Sequence, residues 1–214
     1  MILSRPGDGR TIGVIAAEEG YLILDKPAGL LSVPGRTEPD CLEARVRERF
    51  PEALTVHRLD MATSGICVMA RSPATQVHLQ QQFERRRTSK TYEAIVWGAV
   101  EGEEGAIDIP IRRDWDSRPL QVIDHQLGKE AITRWRVVAR SPGRTRLELR
   151  PETGRSHQLR LHMKAIGHPI LGDEWYAHDE ARAQSDRLLL HAVALGFEAP
   201  GCGTRVGYRS DAPF

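Results

Sequence analysis

From Lys90 onward the chain is a succession of short β-rich runs. KTYEAIVWGAV, AIDIPI, KEAITRWRVVAR and TRLELRPE follow one another, separated by glycine, proline or charged turns, the pattern of strands joined by short connections. Earlier, YLILDK is an apolar run stopped by Pro27 and reads as a buried strand, as do Ile66 to Ala70 and, later, Arg187 to Leu195. The helices between them are few and too irregular for repeated βαβ units. The pattern predicts an α+β fold on a largely antiparallel sheet.

Three helices are predicted. Asp40 is placed to cap the first, with Glu43 at the capping-box position, Leu42, Val46 and Phe50 at helical spacing and Pro51 as its stop. A second runs near Ala74 to Arg87 and finishes in three arginines that suit the negative end of its dipole. A third spans Ser156 to Ile166, with Leu159, Met163 and Ile166 on one face and Gly167 as its stop.

The 214 residues fit one large domain or a two-lobed body, and 40% hydrophobic with 28% charged residues excludes fibrous and largely disordered chains. Thirty Lys+Arg against 29 Asp+Glu rules out a polycation for non-specific coating of nucleic acid, but the arginines cluster. Cys41, Cys67 and Cys202 cannot pair completely and show no CxxC spacing, as expected of a reducing cytoplasm. Neither a signal sequence nor a membrane span is expected.

Three segments concentrate polar chemistry. VHRLDMATSGICVMA, residues 56 to 70, sets His57, Arg58 and Asp60 at the mouth of a strand. On residue types alone it reads either as a cleft carboxylate or as a surface loop with an ion pair. PETGRSHQLRLHMKAIGHPILGDEWYA packs Arg155, His157, Arg160, His162 and His168 around a helix start, a credible anion site. His157 and His162 are five apart and no cysteine lies nearby, so no metal site is expected. In FERRRTSKTYEAIVWG, Arg85, Arg86, Arg87 and Lys90 precede Tyr92, which reads as a solvated helix end or as a basic track leading to a stacking residue. Arg112, Arg113 and Arg118 could extend that track. No phosphate loop, GxGxxG, GxSxG or HExxH is present.

Together with KPAGLLSVPGR, these segments stand in the order found in the RluA family of pseudouridine synthases, which the chain resembles from about Tyr21 to near its C-terminus. The resemblance implies the pseudouridine synthase fold, a mixed, largely antiparallel sheet in two lobes with a central cleft. It implies isomerisation of uridine in structured RNA with no cofactor. By position it places the essential aspartate at Asp60, the active-site tyrosine at Tyr92 and the arginine that pairs with the aspartate at Arg160. Arg58 matches the arginine that holds the target nucleotide out of the stack. His57 and Leu190, the latter in LLLHAVAL, are expected among the substrate-binding residues, with Arg85, Arg86, Arg87, Arg112, Arg113 and Arg155 on the RNA backbone. Residues 1–214 are then expected to be one catalytic domain without an S4-type N-terminal domain, acting as a monomer.

The wording LLSVPGR, HRLDMATSG and GHPILGD looks most like the dual-specificity members, which act on a tRNA anticodon stem-loop and a 23S rRNA loop. An rRNA-only or tRNA-only enzyme and a non-catalytic RNA-binding module are the alternatives within this reading. A glycoside hydrolase with Asp60 as nucleophile needs a second carboxylate as acid/base, and neither matched motif supplies one.

Overall fold

The computed structural model describes residues 1–4 and 9–214. In chain order its first strands are β1 (Ile2–Leu3), β2 (Ile12–Ala17) and β3 (Tyr21–Lys26). Helix α1 (Leu42–Arg47), β4 (Leu54–Thr55), β5 (Ser64–Ala70) and α2 (Pro73–Glu84) follow. Then come β6 (Ser89–Trp97), β7 (Glu104–Asp108), β8 (Ile111–Arg113), β9 (Gln121–Ile123), β10 (Ile132–Ser141) and β11 (Arg144–Pro151). Helices α3 (Gln158–Ala165) and α4 (Asp179–Arg182) precede the last strands, β12 (Leu190–Glu198) and β13 (Arg205–Arg209). Contacts divide the chain into two compact units. The first holds residues 1–90 and 191–213; the second holds residues 91–190 and Phe214.

The first unit is built on two of the runs that read as buried strands. β3 lies antiparallel to β5, with Leu22 opposite Met69 and Leu24 opposite Cys67. Nearly every side chain of both strands is buried, which is why they are apolar on both faces rather than alternating. β2 flanks β3, and β12 flanks β5 in parallel, in the register His191 to Ser64 and Ala192 to Gly65. β13 pairs antiparallel with the later part of β12, Ala194 to Glu198. Its Tyr208 hydroxyl lies 2.8 Å from that of Tyr21, whose ring meets Phe197 edge-on.

Three helix ends differ from expectation: α1 closes at Arg47 with Glu48 as its C-cap, short of the Pro51 stop, and two caps are built otherwise than predicted. The cap of α1 is Cys41, whose Sγ accepts from the Ala44 amide at 3.4 Å. Asp40 instead takes the buried Arg45 guanidinium at 2.8 and 2.5 Å, and Arg10 as well. A charge pair at a buried arginine outweighs a neutral capping bond. α2 starts as its sequence suggests, with Ser72 accepting from the Thr75 amide and Pro73 in the first turn. It ends at Glu84, before the arginines: Arg86 turns left-handed at φ 57°, and the Arg87 amide reaches back to the Gln82 carbonyl at 2.8 Å. That is a Schellman-type closure with arginine where glycine is usual.

The second unit carries the meander, antiparallel throughout, in the order β6–β11–β10–β7. Thr145, Leu147 and Leu149 of β11 point inward. Across the outer face Arg134 meets Glu152, and Arg136 meets Glu148, the alternation of a half-buried sheet. β8 and β9 form a separate hairpin, tied down by a core of Ile111, Ala131, Leu161 and Tyr176, with Leu120 against it. α3 begins after His157, which is left-handed at φ 54°, and stops before Gly167 at φ 84°.

Candidate active site and RNA interface

In the first unit the loop KPAGLLS grips the segment that carries Asp60 from both sides. Before it, Leu59 exchanges two hydrogen bonds with Ser32: its carbonyl accepts from Oγ at 2.7 Å and its amide donates to Oγ at 3.1 Å. After it, the Met61 carbonyl accepts from the Gly29 amide at 2.8 Å and from Lys26 Nζ at 3.1 Å. Lys26 is wholly buried, and its ammonium also donates to the carbonyls of Pro27 and Leu30 at 2.9 and 2.7 Å. Those bonds direct the ammonium's protons at backbone carbonyls, which lowers the cost of burying its charge. The Asp60 backbone is therefore fixed by its neighbours, with a turn closing from the Thr63 amide to the Asp60 carbonyl.

Beyond the turn, Ser64 enters β5 and joins a buried chain of bonds. Asp25 accepts from the Ser210 hydroxyl at 2.7 Å, and Ser210 lies 3.3 Å from His191 Nε2. His191 Nδ1 lies 2.8 Å from the Ser64 hydroxyl. Because Ser210 spends its proton on the carboxylate, His191 donates to it from Nε2. Sequence reading assigned no part to Lys26, Ser32 or this chain. A lysine before a turn proline is an ordinary surface residue by type, and only the returning chain buries it.

His57 is held from within. Its ring stacks on Phe83 with centroids 4.4 Å apart, and its Nε2 accepts from the Val68 amide at 3.1 Å. Burial, helped by the nearby Lys90 ammonium, pushes its pKa down to about 3. The neutral ring anchors β5, a structural task beside the substrate contact expected of it. Arg58, next to it, is exposed. Arg85, Arg86 and Arg87 are exposed just past α2, where the Arg87 carbonyl accepts from Arg205.

In the second unit Tyr92 lies on β6 opposite Leu149 of β11. Arg160, in the first turn of α3, is buried, and its Nε and Nη2 form a two-pronged pair with the fully buried Asp173 at 2.8 and 2.6 Å. Asp173 also accepts from the amides of Trp175 and Tyr176 at 2.9 and 3.1 Å. The rings of those two residues lie over the guanidinium, 4.8 and 5.1 Å away. Arg160 is thus locked in direction by a carboxylate and two aromatic faces. Nothing in GDEWYA marks Asp173 as that partner.

The remaining expected residues are distributed in the second unit. Arg112 is committed to Asp124 at 2.5 Å, which with two backbone amides holds the Asp124 carboxyl down near 2. Arg113 and Arg118 lie over the exposed Trp115 ring, 5.2 and 5.1 Å from its centroid. Arg155 donates to the Glu130 carbonyl. Leu190 is buried at the start of β12. The histidines act as framework. His162 donates from Nε2 to the Ile109 carbonyl at 3.0 Å and pairs with Thr133 at 2.9 Å, and burial lowers its pKa. His168 donates to the Trp97 carbonyl. No group of histidine, cysteine and carboxylate residues suited to a metal occurs among the described residues.

Residues 20–165, which include Asp60, Tyr92 and Arg160, match the model of the RNA pseudouridylate synthase family. The chain belongs to that family. It is 48% identical over 204 residues to the dual-specificity RNA pseudouridine synthase RluA of Yersinia pestis, covering 94% of this chain and 99% of that one. Against the enzyme of the same name from Escherichia coli K12 it is 45% identical, covering 94% and 93%. Among solved structures, human RNA pseudouridylate synthase domain containing 1 superimposes with a TM-score of 0.83 at 27% identity, over 99% of this chain and 87% of that one. The α+β, largely antiparallel expectation is that of the pseudouridine synthase fold, and the chain is an RNA pseudouridine synthase.

Proposed function

We propose that this enzyme converts uridine to pseudouridine in two RNAs, a tRNA anticodon stem-loop and a 23S rRNA loop, with Asp60 as its essential carboxylate and without a cofactor. The observation that carries the assignment of Asp60 is the double grip on its neighbours, Ser32 on Leu59 and Lys26 with Gly29 on Met61. A backbone anchored on both sides of one side chain is how a reactive group is held in place. Near-full-length similarity to enzymes named dual-specificity supports the choice of substrates.

The reaction breaks the N1–C1′ bond, turns the uracil and joins C5 to C1′. C5 loses a proton and N1 gains one, so the atoms balance without a co-reactant. None of these atoms is reachable in a stacked duplex, and flipping the nucleotide costs a few kcal/mol. Arg58, exposed beside Asp60, takes the vacated space. Tyr92 stacks on the flipped base. Arg160 is the third residue of the catalytic set, its guanidinium fixed in direction by Asp173. Arg85, Arg86, Arg87, Arg113 and Arg155 hold the backbone, and Arg112 shapes the hairpin that bears Arg113. The enzyme works as a monomeric catalytic domain in the cytoplasm, where three unpaired cysteines are at home.

The test is site-resolved mapping of pseudouridine in total RNA from cells with the gene intact, deleted, or carrying Asp60→Asn. Loss at one anticodon-loop site and one 23S site, in deletion and variant alike, is expected. Loss at one class alone would restrict the enzyme to that RNA; retained modification with Asp60→Asn would remove Asp60 from the chemistry.

A further inference from the structure

A second site of molecular size lies within the second unit. A cavity of about 370 Å³ opens between the β8–β9 hairpin, the outer face of α3 and the turn after Asp173, lined by Asp114, Gln121, Leu161, Lys164, Trp175 and Tyr176 among others. That volume is at the small end of the range for small-molecule sites.

The walls are prearranged. The Tyr176 hydroxyl accepts from the Gln121 amide at 2.9 Å and lies 2.7 Å from His157 Nδ1, which pins the hairpin to the buried tyrosine. Trp175 stands over the Arg160 guanidinium while its indole stays 38% exposed, leaving aromatic surface toward solvent. The Lys164 ammonium, one helical turn beyond Arg160, is exposed 5.9 Å from the Tyr176 centroid. At the hairpin end, Asp114 Oδ1 accepts from the amides of Asp116 and Ser117, so its carboxylate is oriented. At the connection of β8 to β9, Arg113 and Arg118 lie over the Trp115 ring.

An aromatic face, an ammonium, an oriented carboxylate and a side-chain amide are complementary to the parts of a nucleotide. A base stacks on the indole, a phosphate pairs with Lys164, and a carboxylate prefers a base edge that donates. Uracil offers two carbonyls and one ring N–H there, whereas adenine, cytosine and guanine each present an exocyclic amine. We propose that this cavity holds a second nucleobase of the RNA substrate, one that bears an exocyclic amine, apart from the uridine that reacts. The proposal rests on the reading of the chain as an enzyme of folded stem-loops, and it adds a specificity contact to that reading.

The test uses the full chain and a set of synthetic stem-loops in which each nucleotide other than the target uridine is made abasic in turn. With the parent enzyme, one abasic position bearing an amino base in the intact RNA raises KM about tenfold, the order of one base-stacking contact. With Lys164→Gln or Asp114→Asn the intact RNA already shows most of that rise, in KM rather than kcat, and the same abasic position adds little more. Replacing the base at that position by uracil weakens binding to the parent but not to Asp114→Asn. Circular dichroism melts of both variants confirm that they fold. An unchanged KM across all abasic RNAs, or additive effects of variant and abasic site, would overturn the second-base site while pseudouridine formation stands. Absence of pseudouridine from every RNA would overturn both readings.

Discussion

A buried arginine is costly unless its charge is met, and Arg160 meets Asp173 rather than standing alone. Replacing Asp173 takes from Arg160 its two-pronged, fully buried partner, and breaking a buried pair of this kind costs about 3–5 kcal/mol. Asp173→Asn keeps the shape and can still accept from the Trp175 and Tyr176 amides. It is expected to lower the melting temperature by on the order of 10 °C for a chain of this size. An unchanged melt would show that the carboxylate contributes no charge compensation. His57 contributes to the pH dependence of the first unit. Its ordinary value is 6.5 and the fold lowers it to about 3, so the folded state favours the neutral ring. The stability this ring contributes is fully present above pH 6.5 and is lost as pH falls through 6.5 toward 3. Urea midpoints between pH 7 and pH 4 should fall more steeply for the parent than for His57→Gln; parallel curves would contradict this.

At the scale of elements, the join of β5 to β12 depends on one glycine. Gly65 has φ +116°, and a Cβ there would overlap the backbone of Ala192, its partner across the parallel pair. Gly65→Ala therefore meets backbone strain and steric overlap together, each about 1–3 kcal/mol. The expected result is a loss of roughly 3 kcal/mol or more, with faster hydrogen exchange at the β12 amides. Normal exchange there would mean the strands tolerate a methyl group between them. Many elements were legible beforehand because burial writes itself into sequence: β3 and β5 are continuous apolar runs, and β11 alternates. β2, β13 and α4 escaped notice, being short or only partly buried. The cap of α1 and the end of α2 were misplaced because a charge pair and a left-handed arginine took over from local preference.

At the scale of the molecule, a folded RNA must give up the stacking of one nucleotide, and an unstructured strand has less to give up. With Arg58 replacing the lost contacts, Arg58→Ala is expected to weaken productive binding about tenfold for a stem-loop and much less for a single strand of the same sequence. Equal losses on the two, measured by single-turnover kinetics across enzyme concentrations, would remove Arg58 from that role.

The sequence by itself determined the antiparallel, α+β character, because strand period and turn residues are local properties. It also carried the family, because HRLDMATSG and GRSHQLRLH are contiguous. Only the tertiary structure decided that Lys26 is a buried clamp on the Met61 carbonyl, that Asp173 answers Arg160, and that Gln121, Lys164 and Trp175 share a cavity. Those partners lie 11 to 54 residues apart in the chain. Their pairing is set by which charges and amides are withdrawn from water together, and that is a property of the folded arrangement alone.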